Sequence, residues 1–135
     1  MEIILSVGVI AVIAASSMPI FVGMQKKNEL DIAANAVVSS LRRAQTLSIA
    51  MDRDSTWGVS ISSGAVTIFR GASYTTRTTA QDEVFAISTG IVPTGLGEVV
   101  FAKLSGDPLQ TGTITLTYAA NIRTVTINSV GTIDY

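Results

Sequence analysis

The sequence predicts an α+β fold in which a long N-terminal α-helical stem, apolar in its first half, packs against a C-terminal antiparallel β-sheet head. Three observations carry this expectation. From Ile3 to Met24 no residue is charged, with Glu2 just before the run and Lys26 and Lys27 just after it. From Leu30 onward apolar residues recur at the spacing of one helical face. After Met51 the chain turns to Thr, Val and Ile in alternating patterns, the signature of half-buried strands. Residues 1–24 are therefore read as an apolar segment, 25–52 as an amphipathic stem helix and 53–135 as a β-rich head.

At ~1.5 Å per residue the apolar run is ~33 Å long, enough to cross a hydrocarbon layer of ~30 Å. Ser6, Gly8, Ser16, Ser17 and Pro19 interrupt it, and the acid at its start is costly in lipid unless a cation neutralises it. A helix that waits in a bilayer and is later buried against copies of itself fits both features. A secretory signal peptide would carry a basic region ahead of a short apolar core, whereas here an acid precedes. A one-pass anchor fits the length, and the positive-inside tendency would place Lys26 and Lys27 on the cytoplasmic side.

In the second half of the stem Leu30, Ala34, Val37, Leu41, Ala44, Leu47 and Met51 stack on one face, while Asp31, Asn35, Ser39, Arg42, Gln45 and Thr46 fall largely elsewhere. The helix should reach about Met51. Pro19 and Gly23 are its weak points, because proline lacks an amide and clashes with the preceding turn. Ser16 and Ser17 can bond their own backbone, so the stretch from Ala11 to Pro19 is expected to extend or melt in an assembled state.

Asp52, Asp54 and Ser55 then form a turn. Trp57 to Ile61 and Ala65 to Phe69 read as a hairpin through Ser62-Ser63-Gly64. Val84 to Ile87 and Val99 to Ala102 read as strands, separated by a loop containing Gly90, Pro93, Gly95 and Gly97. Thr113 to Tyr118 and Arg123 to Asn128 alternate apolar with polar and are joined by a turn at Ala119-Ala120-Asn121-Ile122. Ile114, Leu116, Tyr118, Val125 and Ile127 of this last hairpin are expected to cover the stem, with Leu41 and Leu47 facing Ile114, Leu116 and Ile127.

Composition removes several functions. A net charge of −1 over 135 residues gives no basic field for nucleic acid. With 14% of residues charged and 47% apolar, the surface is too apolar for a free monomer and points to coverage by partners. Histidine and cysteine are absent, so Ser-His-Asp and Cys-His sites, the usual zinc sets and disulfides cannot be composed. No enzyme activity, metal or cofactor is expected. Asp52, Asp54, Asp82 and Glu83 match no calcium loop and read as helix-end and turn residues. Arg42-Arg43 reads as a solvated helix face, and Tyr74 to Thr79 as an exposed hydroxyl-rich segment or a contact surface.

An acid opening a long apolar segment, a late proline, a stem with Leu30, Ala33-Ala34, Val37, Leu41-Arg42-Arg43-Ala44 and Ser48-Ile49-Ala50, then Trp57-Gly58-Val59 and a closing Arg123-Thr-Val-Thr-Ile-Asn with Gly131 resembles the type IV pilin superfamily, most closely the H-type pseudopilins and related pilins. The resemblance spans nearly the whole chain and is most specific in the N-terminal half and the last hairpin. It implies a subunit that sits in the inner membrane, is processed by prepilin peptidase, and is built by pilus assembly machinery into a homo-oligomeric helical filament outside the cell. Adhesion, motility or uptake would be its use. A type II secretion pseudopilin is the near alternative, and a membrane-tethered binding domain the distant one. Assembly would be carried by Glu2, Ile3, Ile4, Leu5, Val9, Ile10, Ile13 and Pro19. The resemblance implies that Glu2 meets the N-terminal amine of a neighbouring subunit. In the family a methylated aromatic and further residues precede the glutamate, where this sequence has Met1, and the frequent C-terminal disulfide loop has no cysteine here to form it.

Overall fold

Residues 2–135 are described by a computed structural model, the side chains of residues 16–20 excepted. One helix, α1 (Glu2–Ile49), forms the entire stem. Eight strands follow: β1 (Trp57–Ser62), β2 (Ala65–Arg70), β3 (Glu83–Ala86), β4 (Val92–Gly95), β5 (Glu98–Phe101), β6 (Gly112–Tyr118), β7 (Asn121–Ile127) and β8 (Ile133–Asp134). They form two four-stranded sheets, ordered β3-β2-β1-β5 and β4-β6-β7-β8, with every pairing antiparallel. The α+β class is as expected, but the head has two sheets where one was anticipated.

Helix α1 packs on both. Leu30, Ala33, Ala34, Val37, Val38, Leu41 and Ala44 share a buried cluster with Val59, Ile68 and Phe101 of the first sheet and Ile114, Leu116 and Val125 of the second. The last hairpin therefore does not clasp the stem alone, since α1 touches β1, β2 and β5 as well as β6, β7 and β8. Small residues at 33, 34 and 44 let the helix lie close to both sheets.

The buried stripe also departs from the expected one at its end. Leu47 is only half-buried and Met51 is exposed, while Ser48 is fully buried. Position 48 follows Ala44 by four residues, so it continues the 30, 34, 37, 41, 44 series, and its hydroxyl finds partners that a methyl could not. The Trp57 amide donates to Ser48 Oγ at 3.0 Å, and that hydroxyl donates to the Phe101 carbonyl at 3.3 Å. The end of α1 is thus tied to β1 and β5 together. Ser48→Ala is expected to cost about 1–2 kcal/mol, because the Trp57 amide would be left buried without an acceptor. Urea unfolding read by the fluorescence of Trp57, the chain's one tryptophan, checks this.

The first hairpin turns through Ser63-Gly64, where Gly64 at φ 87° supplies a left-handed residue. The stretch read as a loop from Gly90 to Gly97 contains β4, an edge strand paired to β6. Proline misled the reading because it is excluded from central strands but admitted at sheet edges. The last hairpin turns on Ala119-Ala120 alone, with Asn121 and Ile122 already paired to Tyr118 and Thr117. Two-residue β8, too short to show alternation, was not anticipated.

Polar contacts fix the rest of the helix surface. Arg123 Nε donates to Asp31 Oδ1 at 2.7 Å and Tyr135 Oη to Asn35 Oδ1 at 2.8 Å, both on the side of the second sheet. On the other side Arg43 holds Glu83 with two hydrogen bonds of 2.8 Å, so the arginine expected to be merely solvated is exposed but paired. The segment from Tyr74 to Thr79 is a loop. Tyr74 packs edge-on to Phe69 with ring centroids 5.6 Å apart, and its amide donates to Glu98 Oε1 at 3.0 Å.

Candidate assembly surface

The first fully buried residue of α1 among the described ones is Leu30. Just N-terminal to it Glu29 borders a groove with Ala86, Ile87 and Ser88, and Lys26 Nζ lies over the Tyr118 ring, 5.9 Å from its centroid. Residues 2–25 form a helical arm of ~36 Å, and its described side chains, those of 2–15 and 21–25, are exposed.

That arm is apolar on every side. Ile3, Ile4, Leu5, Val9, Ile10 and Ile13 expose 80%, 75%, 73%, 54%, 66% and 62% of their surface. At ~100° per residue these positions point in all directions around the axis rather than along one stripe. A helix apolar all round is stable only where something surrounds it. If six such side chains were fully covered, at about 1.5–3 kcal/mol each, the gain would be on the order of 10 kcal/mol before association costs.

Within the arm, Ile4, Leu5, Gly8, Val9, Val12 and Ile13 line a concavity of ≈ 590 Å³. Its floor is Gly8, where an added Cβ would meet nothing within 4 Å. The glycine that interrupts the apolar run therefore leaves a gap among the apolar side chains of the arm. Sequence reasoning noted Gly8 only as an interruption; its position one turn from both Ile4 and Val12 was the available signal.

Glu2 stands in the first turn of the arm, where Ser6 Oγ donates to its backbone carbonyl at 2.9 Å. It is exposed, and among the described residues its carboxylate has no ion-pair partner. The backbone of α1 is helical through residues 16–20 and through Gly23. The side chain of Pro19, and any contact it makes, lies outside the described residues, as does Met1. Among the described residues no helix is long and apolar enough to cross a membrane; the run from Ile3 to Met24 includes residues 16–20, whose side chains are not described.

The other acidic candidates have local partners. Asp82 accepts from Arg77 Nε at 2.7 Å, Asp54 pairs with Lys103, and Asp52 lies 3.8 Å from Arg53 Nε. Hydrogen bonding and charge from Lys103 hold the Asp54 carboxyl below its usual range, and the Glu83 hydrogen bonds push Arg43 above its own. Among the described residues no group of three or more His, Cys, Asp or Glu could hold a metal ion. No protein-family model, curated protein or solved structure matches this chain.

Proposed function

We propose that this protein is the structural subunit of a type IV pilus-like filament, polymerising through the bare apolar arm of α1. The observation that carries the proposal is the exposure of Ile3, Ile4, Leu5, Val9, Ile10 and Ile13 on all sides of one helix, joined to a head whose own core is already closed. Copies of the same arm are its natural cover, since a bundle of apolar helices buries every azimuth at once. Before assembly the arm rests in the cell membrane; afterwards it lines the filament axis, with the heads outside. Prepilin peptidase and the pilus assembly machinery are the partners that go with this role.

Glu2 sets register. A carboxylate enclosed among apolar helices costs several kcal/mol unless a cation meets it, so only staggers that provide one survive. Negative-stain microscopy of the protein released from membranes by detergent should show fibres as the detergent is withdrawn. Glu2→Gln should cut fibre yield at least tenfold while membrane insertion of the monomer is unchanged. Fibres that form only when other subunits are added would indicate a secretion pseudopilin, and a protein that never forms them with any subunit would be a tethered binding domain. Normal fibres from Glu2→Gln would remove the register role.

A further inference from the structure

Three of the head's sheet edges are blunted, and β3 is the exception. The outer edge of β5 is occupied by residues 108–110: Leu109 N–H donates to the Val100 carbonyl at 2.8 Å, and Val100 N–H to Gln110 Oε1 at 2.9 Å. Strand β8 has two residues. In β4 the Leu96 amide bonds the Thr113 carbonyl, so residues 92, 94 and 96 face β6 and residue 93 faces outward. That residue is Pro93, which has no N–H to offer.

Strand β3 carries none of these devices. The Ile87 amide bonds the Gly64 carbonyl, which makes 87/64, 85/66 and 83/68 the hydrogen-bonded pairs and turns the N–H and C=O of Val84 and Ala86 away from β2. Among the described residues no other backbone group meets them. The side chains are equally open, with Val84 62% and Phe85 42% exposed. An unpaired apolar edge without proline, lysine or bulge is a template for another strand.

We infer that β3 pairs with β3 of a second copy, antiparallel about a two-fold axis through Phe85, joining the first sheets of two heads. The pattern is self-complementary. In this register Val84 lies opposite Ala86 of the second copy and exchanges N–H and C=O with it, and Ala86 does the same with Val84, so all four outward groups on each strand are satisfied. Phe85 meets its counterpart as a non-hydrogen-bonded pair, with Cα atoms about 4.5 Å apart and the rings on one face. Glu83 falls opposite Ile87 rather than another acid, and its charge is already met by Arg43. On the helix side the new strand borders grooves lined by Ile32, Ala33 and Ala36.

A two-fold axis normal to the sheet reverses one molecule with respect to the other, so the two arms run in opposite directions. The pair is incompatible with a polar filament and holds subunits that have left or not joined one. It therefore stands apart from the filament proposal. The test is sedimentation of the full-length protein in mild detergent, with the mass corrected for bound detergent. The wild type should be a dimer and Val84→Pro a monomer with unchanged thermal midpoint, since a proline there removes only an outward donor. Phe85→Cys, introduced into a chain without cysteine, should oxidise to a covalent dimer at least tenfold faster than Val130→Cys at a distant exposed site. A monomeric wild type, a dimer that persists in Val84→Pro because the arms hold it, or equal oxidation at the two sites would each overturn the inference. Fibres seen or not seen by microscopy leave these readings untouched.

Discussion

Leu41→Ala is expected to lower the stability of the head by about 2–5 kcal/mol, a large share of the ~5–15 kcal/mol margin of a small domain. Leu41 has no exposed surface and belongs to the buried cluster that α1 shares with both sheets, so its truncation would leave a cavity in the core that joins them. Arg42→Ala, one position on, should change stability by less than about 0.5 kcal/mol, because Arg42 faces solvent. Urea titration of the detergent-solubilised chain, followed by Trp57 fluorescence, reports both. If Arg42→Ala shifts the midpoint and Leu41→Ala does not, the helix has been placed on the wrong face.

Gly58→Val should be more damaging than its chemistry suggests, since valine favours strands and glycine weakens them. A Cβ at Gly58 would lie 2.6 Å from Phe69 Cζ and 2.8 Å from the Val99 carbonyl oxygen. The ring is pinned by Tyr74 and the carbonyl belongs to the neighbouring strand, so relief requires moving β5 away from β1. A loss of about 3 kcal/mol or more is expected. Thermal unfolding followed by circular dichroism measures it, and a neutral result would show that Phe69 can leave its seat over the glycine without cost.

What could be read in advance followed from period and what could not followed from edges. The stem was legible because twenty-odd uncharged residues and then a 30, 34, 37, 41, 44 series admit one interpretation. The last hairpin was legible because Thr-Ile-Thr-Leu-Thr and Arg-Thr-Val-Thr-Ile alternate so regularly, and the first because Ser62-Ser63-Gly64 parts two apolar runs. Strand β4 was missed because Pro93 and Gly95 look like loop residues, and only the direction of the Pro93 backbone explains why an edge accepts them. Ser48 was missed because a hydroxyl interrupts the apolar series, although a buried serine with backbone partners continues it. Of the residues expected to carry assembly, Ile3, Ile4, Leu5, Val9, Ile10 and Ile13 are exposed, while the gap at Gly8 needed the helix geometry to be seen.

The anchoring of α1 between two sheets also sets how the head would bear tension. A pull on the arm acts along the helix axis, across the direction in which its side chains interdigitate with both sheets, so the packed rows are loaded together instead of peeling one after another. The ties lie at several heights, Asp31 to Arg123, Asn35 to Tyr135 and Arg43 to Glu83, and the deepest, Ser48 to Trp57 and Phe101, is at the end farthest from the pull. Sliding the helix free would break all of them within one turn of travel, the geometry of a brittle, high-force failure. A single head stretched from Glu2 against a clamp on the second sheet should therefore yield in one abrupt event, with the uncovered arm uncoiling first as a soft spring.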